Sequence, residues 1–248
     1  MDKTLYEETY QAEESHWWFL ALHELIEFFV AAHRARVPSG ADFRIFDAGC
    51  GTGQLMVRLQ KYGLINGIDF SDTAIDFCRQ RELKNVSRED LNEWSGPDSA
   101  FDIITSLDVL YHRSIPEDRA ILQKFHSALK KGGLLILNLA AFDCLKRKHD
   151  IAGQAARRYR RGALCRKLEE TGFRVKIASY RLSYLFLPVF LKAFFERKNW
   201  ISNKSDLESL PSPAMNSLML QINRIENEII KRMGLPFGVS LFVVAEKT

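Results

Sequence analysis

The spacing of apolar positions divides the chain into segments of different period. Between His16 and His33 they recur at Trp18, Leu22, Leu25, Ile26, Phe29 and Val30, close to every 3.6 residues. That spacing predicts an amphipathic helix within a helical region covering 1–37, closed by the break Val37-Pro-Ser-Gly-Ala-Asp. Beyond it, short apolar runs alternate with amphipathic stretches. Strands are expected at Phe43–Asp47, Leu64–Phe70, Asn85–Arg88, Phe101–Leu107, Leu134–Leu139, Phe173–Tyr180 and Val239–Ala245. Helices are expected at Gln54–Tyr62, Asp72–Arg81, Glu117–Lys130 and Gly162–Thr171, and a mostly helical stretch fills 182–234. Ser71 reads as an N-cap, Pro116 as a first-turn residue, and Gly132-Gly133 as a helix stop. Such alternation predicts an α/β fold built on a mostly parallel sheet.

Composition narrows the class. At 248 residues with 46% hydrophobic and 27% charged positions, the chain suits a globular α/β domain with its own core. A net charge of +4 is too mild to argue for nucleic acid. Cys50, Cys78, Cys144 and Cys165 form no CxxC pair and have no nearby His at metal spacing, so neither a metal nor a disulfide framework is expected. The opening MDKTLYEETYQAEES is acidic and polar, unlike a targeting peptide. The longest apolar run, Leu182–Phe195, is interrupted by Pro188 and Lys192 and falls short of the roughly 20 residues a spanning helix needs. A cytoplasmic protein without stable membrane insertion is expected.

The candidate chemistry lies at strand ends. Asp47-Ala-Gly-Cys-Gly-Thr-Gly53 follows the first strand and opens a helix. Its glycines fall at relative positions 1, 3 and 5, unlike the GxGxxG dinucleotide fingerprint, and the Walker loop is absent. A carboxylate just ahead of such a loop suits a cationic ligand better than a phosphate. Asp69 follows the second strand, in the place where an acid chelates ribose hydroxyls. Asp90 and Asp108 follow the third and fourth. Aspartate is common in turns, but four successive strands ending in Asp beside a glycine loop point to a shared ligand.

DAGCGTGQL, GIDFS, Asp90-Leu91, FDIITSLDVLYH and LKKGGLLIL resemble, in order and spacing, the motifs of class I S-adenosylmethionine-dependent methyltransferases over about residues 43–140. The N-terminal HWWF, the His149-Asp150 and Arg157-Arg158-Tyr159 segment and LPFGVSLFVVAEK resemble small-molecule methyltransferases of bacterial polysaccharide and natural-product clusters. The resemblance implies a Rossmann-like, doubly wound sheet of seven strands with the last antiparallel. It implies an N-terminal helical cap at 1–37, a methyltransferase domain at 38–248, and an insertion at 182–234 over the acceptor site. It implies S-adenosylmethionine as cofactor, S-adenosylhomocysteine as product and no metal.

Site roles follow residue by residue. Gly49, Cys50, Gly51 and Gly53 shape the loop under the cofactor, Asp47 lies near its ammonium, Asp69 takes the ribose and Phe70 packs on adenine. Asp90 and Leu91 receive the adenine edge. Leu107 and Asp108 flank the transferring methyl. His112 is the candidate base, with Tyr111 and Asn138 beside it; its plainer reading is a helix-start histidine. Arg158, Tyr159 and His149 are candidates to hold an anionic acceptor, against the plainer reading of a solvated basic face. Trp17, Trp18, Phe19 and Tyr184 are candidates for an aromatic cover, against ordinary packing or a dimer interface. One departure stands out: Leu20-Ala21-Leu22-His23 lacks the Arg that many relatives carry after HWWF.

The expected function is methyl transfer to a small acceptor, anionic or hydrophobic, by a monomer or homodimer with no nucleic-acid partner. The alternatives are another alkyl transfer or a cyclisation of the cofactor that releases methylthioadenosine, and a non-catalytic scaffold. NAD-dependent oxidoreduction is disfavoured by the glycine spacing.

Overall fold

The computed structural model describes residues 3–147, 150, 153–198 and 211–248. Seven strands form one sheet in the order β3-β2-β1-β4-β5-β7-β6. They are β1 (Arg44–Ala48), β2 (Leu64–Asp69), β3 (Val86–Arg88), β4 (Phe101–Leu107), β5 (Leu129–Ala140), β6 (Phe173–Arg181) and β7 (Ser240–Lys247). β7 runs antiparallel between β5 and β6, and the pairs among β1 to β5 are parallel. The strand order reverses between β1 and β4, which opens a crevice at their carboxyl ends.

Helices cover both faces. On one lie α5 (Asp118–Ala128) and α6 (Arg161–Glu170), whose Leu122, Phe125, Leu164 and Leu168 pack on Ile104, Leu135 and Val243. On the other lie α2 (Trp17–Arg34), α3 (Gln54–Leu59) and α4 (Asp72–Gln80), with Leu22, Leu25, Ile26, Met56 and Ile75 against Ile45, Ile103 and Ile136. The central strands are sealed on both sides, which explains why they read as unbroken apolar runs. α1 (Lys3–Ala12) precedes α2. In the region ahead of β7 lie α7 (Phe186–Arg197) and α8 (Pro213–Ile230). No described helix is long and apolar enough to cross a membrane.

Two boundaries depart from the sequence expectation. The helix expected over Glu117–Lys130 ends at Ala128, and the strand begins at once with Leu129, well ahead of Gly132-Gly133. Leu129 is fully buried and pairs with Phe101 before the register shifts to Ile103↔Leu134. The glycines therefore form an irregularity inside β5 rather than a helix stop; Gly132 has φ +79. The N-terminal region splits into α1 and α2 at His16, whose Nδ1 caps α2 by accepting from the Trp18 amide at 3.2 Å.

Segments about 200 residues apart in sequence are tied together at α2 and α8. The Trp17 amide donates to Asn216 Oδ1 at 2.9 Å, Asn216 Nδ2 to the Ser15 carbonyl at 2.8 Å, and Asn227 Nδ2 to the Ala21 carbonyl at 2.7 Å. Arg224 grips Glu24 with two nitrogens, at 2.9 and 2.6 Å. These bonds fix one wall of the crevice. Energetically the apolar core dominates over exposed charge pairs. Ile104→Ala is expected to lower the unfolding free energy by about 2–5 kcal/mol and Glu24→Gln by less than about 1 kcal/mol, as measured by urea denaturation.

Candidate functional site

A cavity of about 740 Å³ opens at the carboxyl ends of the parallel strands. Because β2, β1, β4 and β5 are neighbours, their ends set Asp69, Asp47, Asp108 and Asn138 in one row, with Asp90 beyond β3. The loop after β1 is bent back by two amides, those of Gly49 and Cys50, which both donate to the Ile68 carbonyl at 2.9 Å. Gly49 has φ +83, and a Cβ there would stand 2.2 Å from Val109 Cγ2. The turn and the close approach of the β4 loop both require glycine at this position. Gly53 begins α3 with φ +87, where a Cβ would meet Leu83 at 2.5 Å.

Asp69 is held by backbone. The Gly51 amide donates to Oδ2 at 3.1 Å and the Ser71 amide to Oδ1 at 3.0 Å. Its oxygens keep lone pairs toward the cavity, and the Tyr6 hydroxyl reaches Oδ1 at 3.5 Å. Burial pushes the Asp69 carboxyl up, against the pull of those amides. Asp47 is 3% exposed and receives the Thr105 hydroxyl at 2.6 Å. Burial pushes its pKa up to about 7, with the Asp69 charge adding and Thr105 opposing. Asp108 sits at φ +58, a left-handed conformation that Asp tolerates better than most residues. It receives Asn138 Nδ2 at 2.9 Å, and burial raises its pKa to about 6 against the bonds from Asn138 and Tyr111. Burial and the Asp108 charge push the Tyr111 phenol well above its ordinary value, so it stays protonated. Among the described residues Asp47 and Asp108 form no ion pair, although Arg181 and Arg158 act on Asp108 through space, and a cationic ligand would favour their ionisation.

The far end of the cavity is a slot for a flat group. Phe70 projects into it with 44% of its surface exposed, and its ring lies 5.6 Å from that of His112. Asp90, Leu91, Ser114 and Ile115 complete this end. Asp90 Oδ1 receives the Asn92 amide at 2.8 Å. His112 Nδ1 lies 2.7 Å from the Ser114 hydroxyl oxygen and accepts from the Ser114 amide at 3.2 Å, and among the described residues its buried Nε2 has no partner. Burial lowers the pKa of this imidazole. His112 is thus a neutral imidazole beside Phe70 in this geometry.

Trp17, Trp18, Phe19, Leu107 and Arg158 also line the cavity. Gly53, Asn138, Tyr159 and Tyr184 do not line it. Asn138 is fully buried behind Asp108. Tyr159 turns to the opposite face, donating to Asp118 Oδ2 at 2.7 Å, and Tyr184 is held by Asn223 at 2.6 Å. Arg158 is engaged by Asp150 through Nε at 2.9 Å and by the Ala141 carbonyl at 2.8 Å, and Arg147 by Glu196 at 3.0 Å. Much of the basic segment is therefore neutralised within the fold. His149 lies outside the described residues. Among the described residues no cluster of His, Cys, Asp and Glu is arranged to hold a metal.

Two cavity groups escaped sequence reasoning. Glu13, at the end of α1, accepts from the Thr52 hydroxyl of the glycine loop and pairs with Arg81 at 3.5 Å. Burial raises its pKa to about 7, although Thr52 and Arg81 oppose the shift. His23, named in the sequence only as the end of the run that lacks an Arg, also lines the cavity. The acidic run around Glu13 reads as solvated surface, and nothing local shows that it folds onto residue 52.

Comparison with known proteins fits this geometry. Residues 45–133 match a family model described as Methyltransferase domain. A protein of Geobacillus sp. (strain WCH70), provisionally named a methyltransferase, is 35% identical over 106 residues, 39% of this chain and 42% of that one. A tRNA U34 carboxymethyltransferase of Actinobacillus pleuropneumoniae serotype 3 is 34% identical over 110 residues, 41% of this chain and 34% of that one. The chain thus matches well under two thirds of the length of these relatives. An S-adenosylmethionine-dependent methyltransferase structure from Mesorhizobium loti superposes with a TM-score of 0.55 at 19% identity, covering 88% of this chain and 96% of that one. The fold is the one seen in S-adenosylmethionine-dependent methyltransferase structures, and residues 45–133 are similar to a methyltransferase domain.

The raised pKa of Asp47 has a measurable sign. In the unfolded chain the group ionises near 3.8, and in the folded protein only near 7. Between those values the unfolded state sheds a proton that the folded state keeps, so the wild-type protein loses stability as pH rises, and the loss is complete above about 7. Asp47→Asn is expected to melt higher than wild type in the ligand-free state. Its advantage should grow from pH 4 to pH 7 and stay level beyond, in thermal melts across that range.

Proposed function

We propose that this protein binds S-adenosylmethionine in the strand-end cavity and transfers its methyl group to a small acceptor held beside it. The observation that carries this reading is the row of buried acids. Asp47, Asp108 and Glu13 stand at one end of the cavity; Glu13 pairs with Arg81, but among the described residues neither Asp47 nor Asp108 forms an ion pair, while the other end offers the Phe70 slot. A ligand with a cationic end, a ribose and a flat base complements that order. When bound, the cofactor supplies an electrophilic methyl carbon and a neutral leaving thioether.

This chain's own residues then have four tasks. The Asp69 oxygens, pre-oriented by two amides, accept from ribose hydroxyls. Phe70 and His112 flank the adenine, with Asp90 and Leu91 at its edge. Asp47 and the Gly49–Gly53 loop hold the methionyl end. Asp108, with an ionisation near neutrality and Tyr111 and Asn138 bonded to it, can take a proton from an acceptor hydroxyl or amine. This moves the base from His112, whose Nδ1 lone pair is occupied, to Asp108.

α1 acts as a cover. Tyr6 meets Asp69, Glu13 meets Thr52, and Arg81 packs over Tyr10 while donating to its carbonyl. Trp17, Trp18 and Phe19 with Leu185, Pro188 and Val189 close the acceptor side, where they exclude water. A cavity of this size, walled by aromatics, favours a small acceptor over a tRNA loop. Protein action in the cytoplasm as a monomer or homodimer is the corresponding cellular reading.

Calorimetric titration with S-adenosylmethionine tests the cofactor assignment, with NAD as control. Micromolar binding of the first alone is expected, and Asp69→Ala should weaken it roughly 30-fold or more because a ribose pair would lose its charged acceptor. Equal affinity in Asp69→Ala, or no binding by the folded wild type, would overturn the assignment. With acceptor mixtures, the product mass separates methyl from carboxymethyl transfer, and methylthioadenosine released without acceptor would mark cyclisation. Removing residues 1–15 tests the cover: S-adenosylhomocysteine should dissociate about tenfold faster, since lids act mainly on release.

A further inference from the structure

Arg181 closes β6 and, among the described residues, is the largest side chain that is fully buried. Among the described residues it makes one hydrogen bond, from Nη1 to Asn138 Oδ1 at 3.4 Å, and Nε and Nη2 have no partner. Those two nitrogens form one edge of the guanidinium, the edge that meets a carboxylate with two parallel bonds.

The acids nearby do not fill that edge. Glu226 accepts from the Leu182 amide at 2.6 Å, the Ser183 amide at 2.8 Å and the Ser183 hydroxyl at 2.6 Å. Asp108 is bonded by Asn138 and Tyr111. Both influence Arg181 through space without bonding to it. On α2, His23 also lies within electrostatic reach of Arg181, is 3% exposed and has Nδ1 without a partner among the described residues. Burial, then the Arg58 and Arg181 charges, drive its pKa down to about 3, so the ring is neutral.

This group borders the cavity. His23 and Asp108 line it, as do Leu182, next in the chain to Arg181, and Ser240, its partner across the β6–β7 ladder. A buried cation with an empty two-donor edge is costly unless an anion meets it. We propose that Arg181, with Asn138 and His23, forms a carboxylate-binding subsite directly behind the cavity wall at His23, Asp108, Leu182 and Ser240. The carboxylate comes from the methionyl end of the cofactor or from the acceptor; the first source rests on the cofactor assignment above, the second does not.

The test compares wild type with Arg181→Met and Arg181→Lys. Each is titrated with S-adenosylhomocysteine and with methylthioadenosine, which has the same nucleoside and no carboxylate. If the cofactor supplies the group, Arg181→Met should bind S-adenosylhomocysteine roughly 30-fold or more weakly and methylthioadenosine within about twofold of wild type, with Arg181→Lys between. If the acceptor supplies it, both nucleosides should be unaffected. Acetate and benzoate should then raise the melting temperature of wild type, with and without S-adenosylhomocysteine, and not that of Arg181→Met. Dependence of neither readout on Arg181 would overturn the proposal.

Should Arg181→Met fail to fold, Arg181→Lys keeps the charge and loses the fork, and wild type is titrated with the carboxamide of S-adenosylhomocysteine. Undiminished binding of the carboxamide, with no carboxylate protection, also overturns the proposal. Failure of wild type to bind either nucleoside would refute the cofactor assignment alone, and the acetate and benzoate melts would still decide the subsite.

Discussion

The strand-end carboxylates are held out of water by the same parallel sheet that brings them together. Where the order reverses between β1 and β4, the chain places Asp47 and Asp108 on adjacent strands under a loop that leaves little room for solvent. Burying a carboxylate disfavours its charge, and for Asp47 the charge of Asp69 disfavours it further. Most of the surrounding structure can be read as a response to that constraint. Thr105, the Gly51 and Ser71 amides and the Asn138 amide each supply one donor, which positions the acids without neutralising them.

The outer helices keep this region dry. α1 reaches across the glycine loop through Glu13 and Tyr6, and Arg81 ties it to α4 from the other side. α2 and α8 are stapled by Asn216, Arg224 and Asn227. The result is a cavity whose polar groups sit on its floor and whose upper walls are aromatic. Charges on the floor interact strongly because bulk water is excluded. The same logic extends to Arg181, a cation set among acids that are already engaged.

Much of this was legible in the sequence. The alternation of apolar runs with helical spacing yields the α/β architecture, because buried parallel strands carry unbroken apolar residues. The glycine loop and the four strand-end aspartates were legible because each follows its strand directly, so local order fixes their place. Contacts between distant segments were not. Glu13 on Thr52, Arg147 on Glu196 and Arg181 on Asn138 join positions 39, 49 and 43 residues apart, and no local pattern encodes such pairs. Arg158 and Tyr159 looked like a pair for an anion. In the fold, consecutive residues on an extended segment face opposite ways, so one meets Asp150 and the other Asp118. Gly132-Gly133 looked like a helix stop because burial of Leu129 cannot be seen until its partner Phe101 is known.

The most direct test of the central claim is a crystal structure of the protein grown with S-adenosylhomocysteine. The adenine should lie against Phe70 and the edge of His112, the ribose hydroxyls on Asp69, and the amino group near Asp47 and Asp108. A nucleoside bound elsewhere, or with its ribose away from Asp69, would contradict the assignment of the strand-end acids.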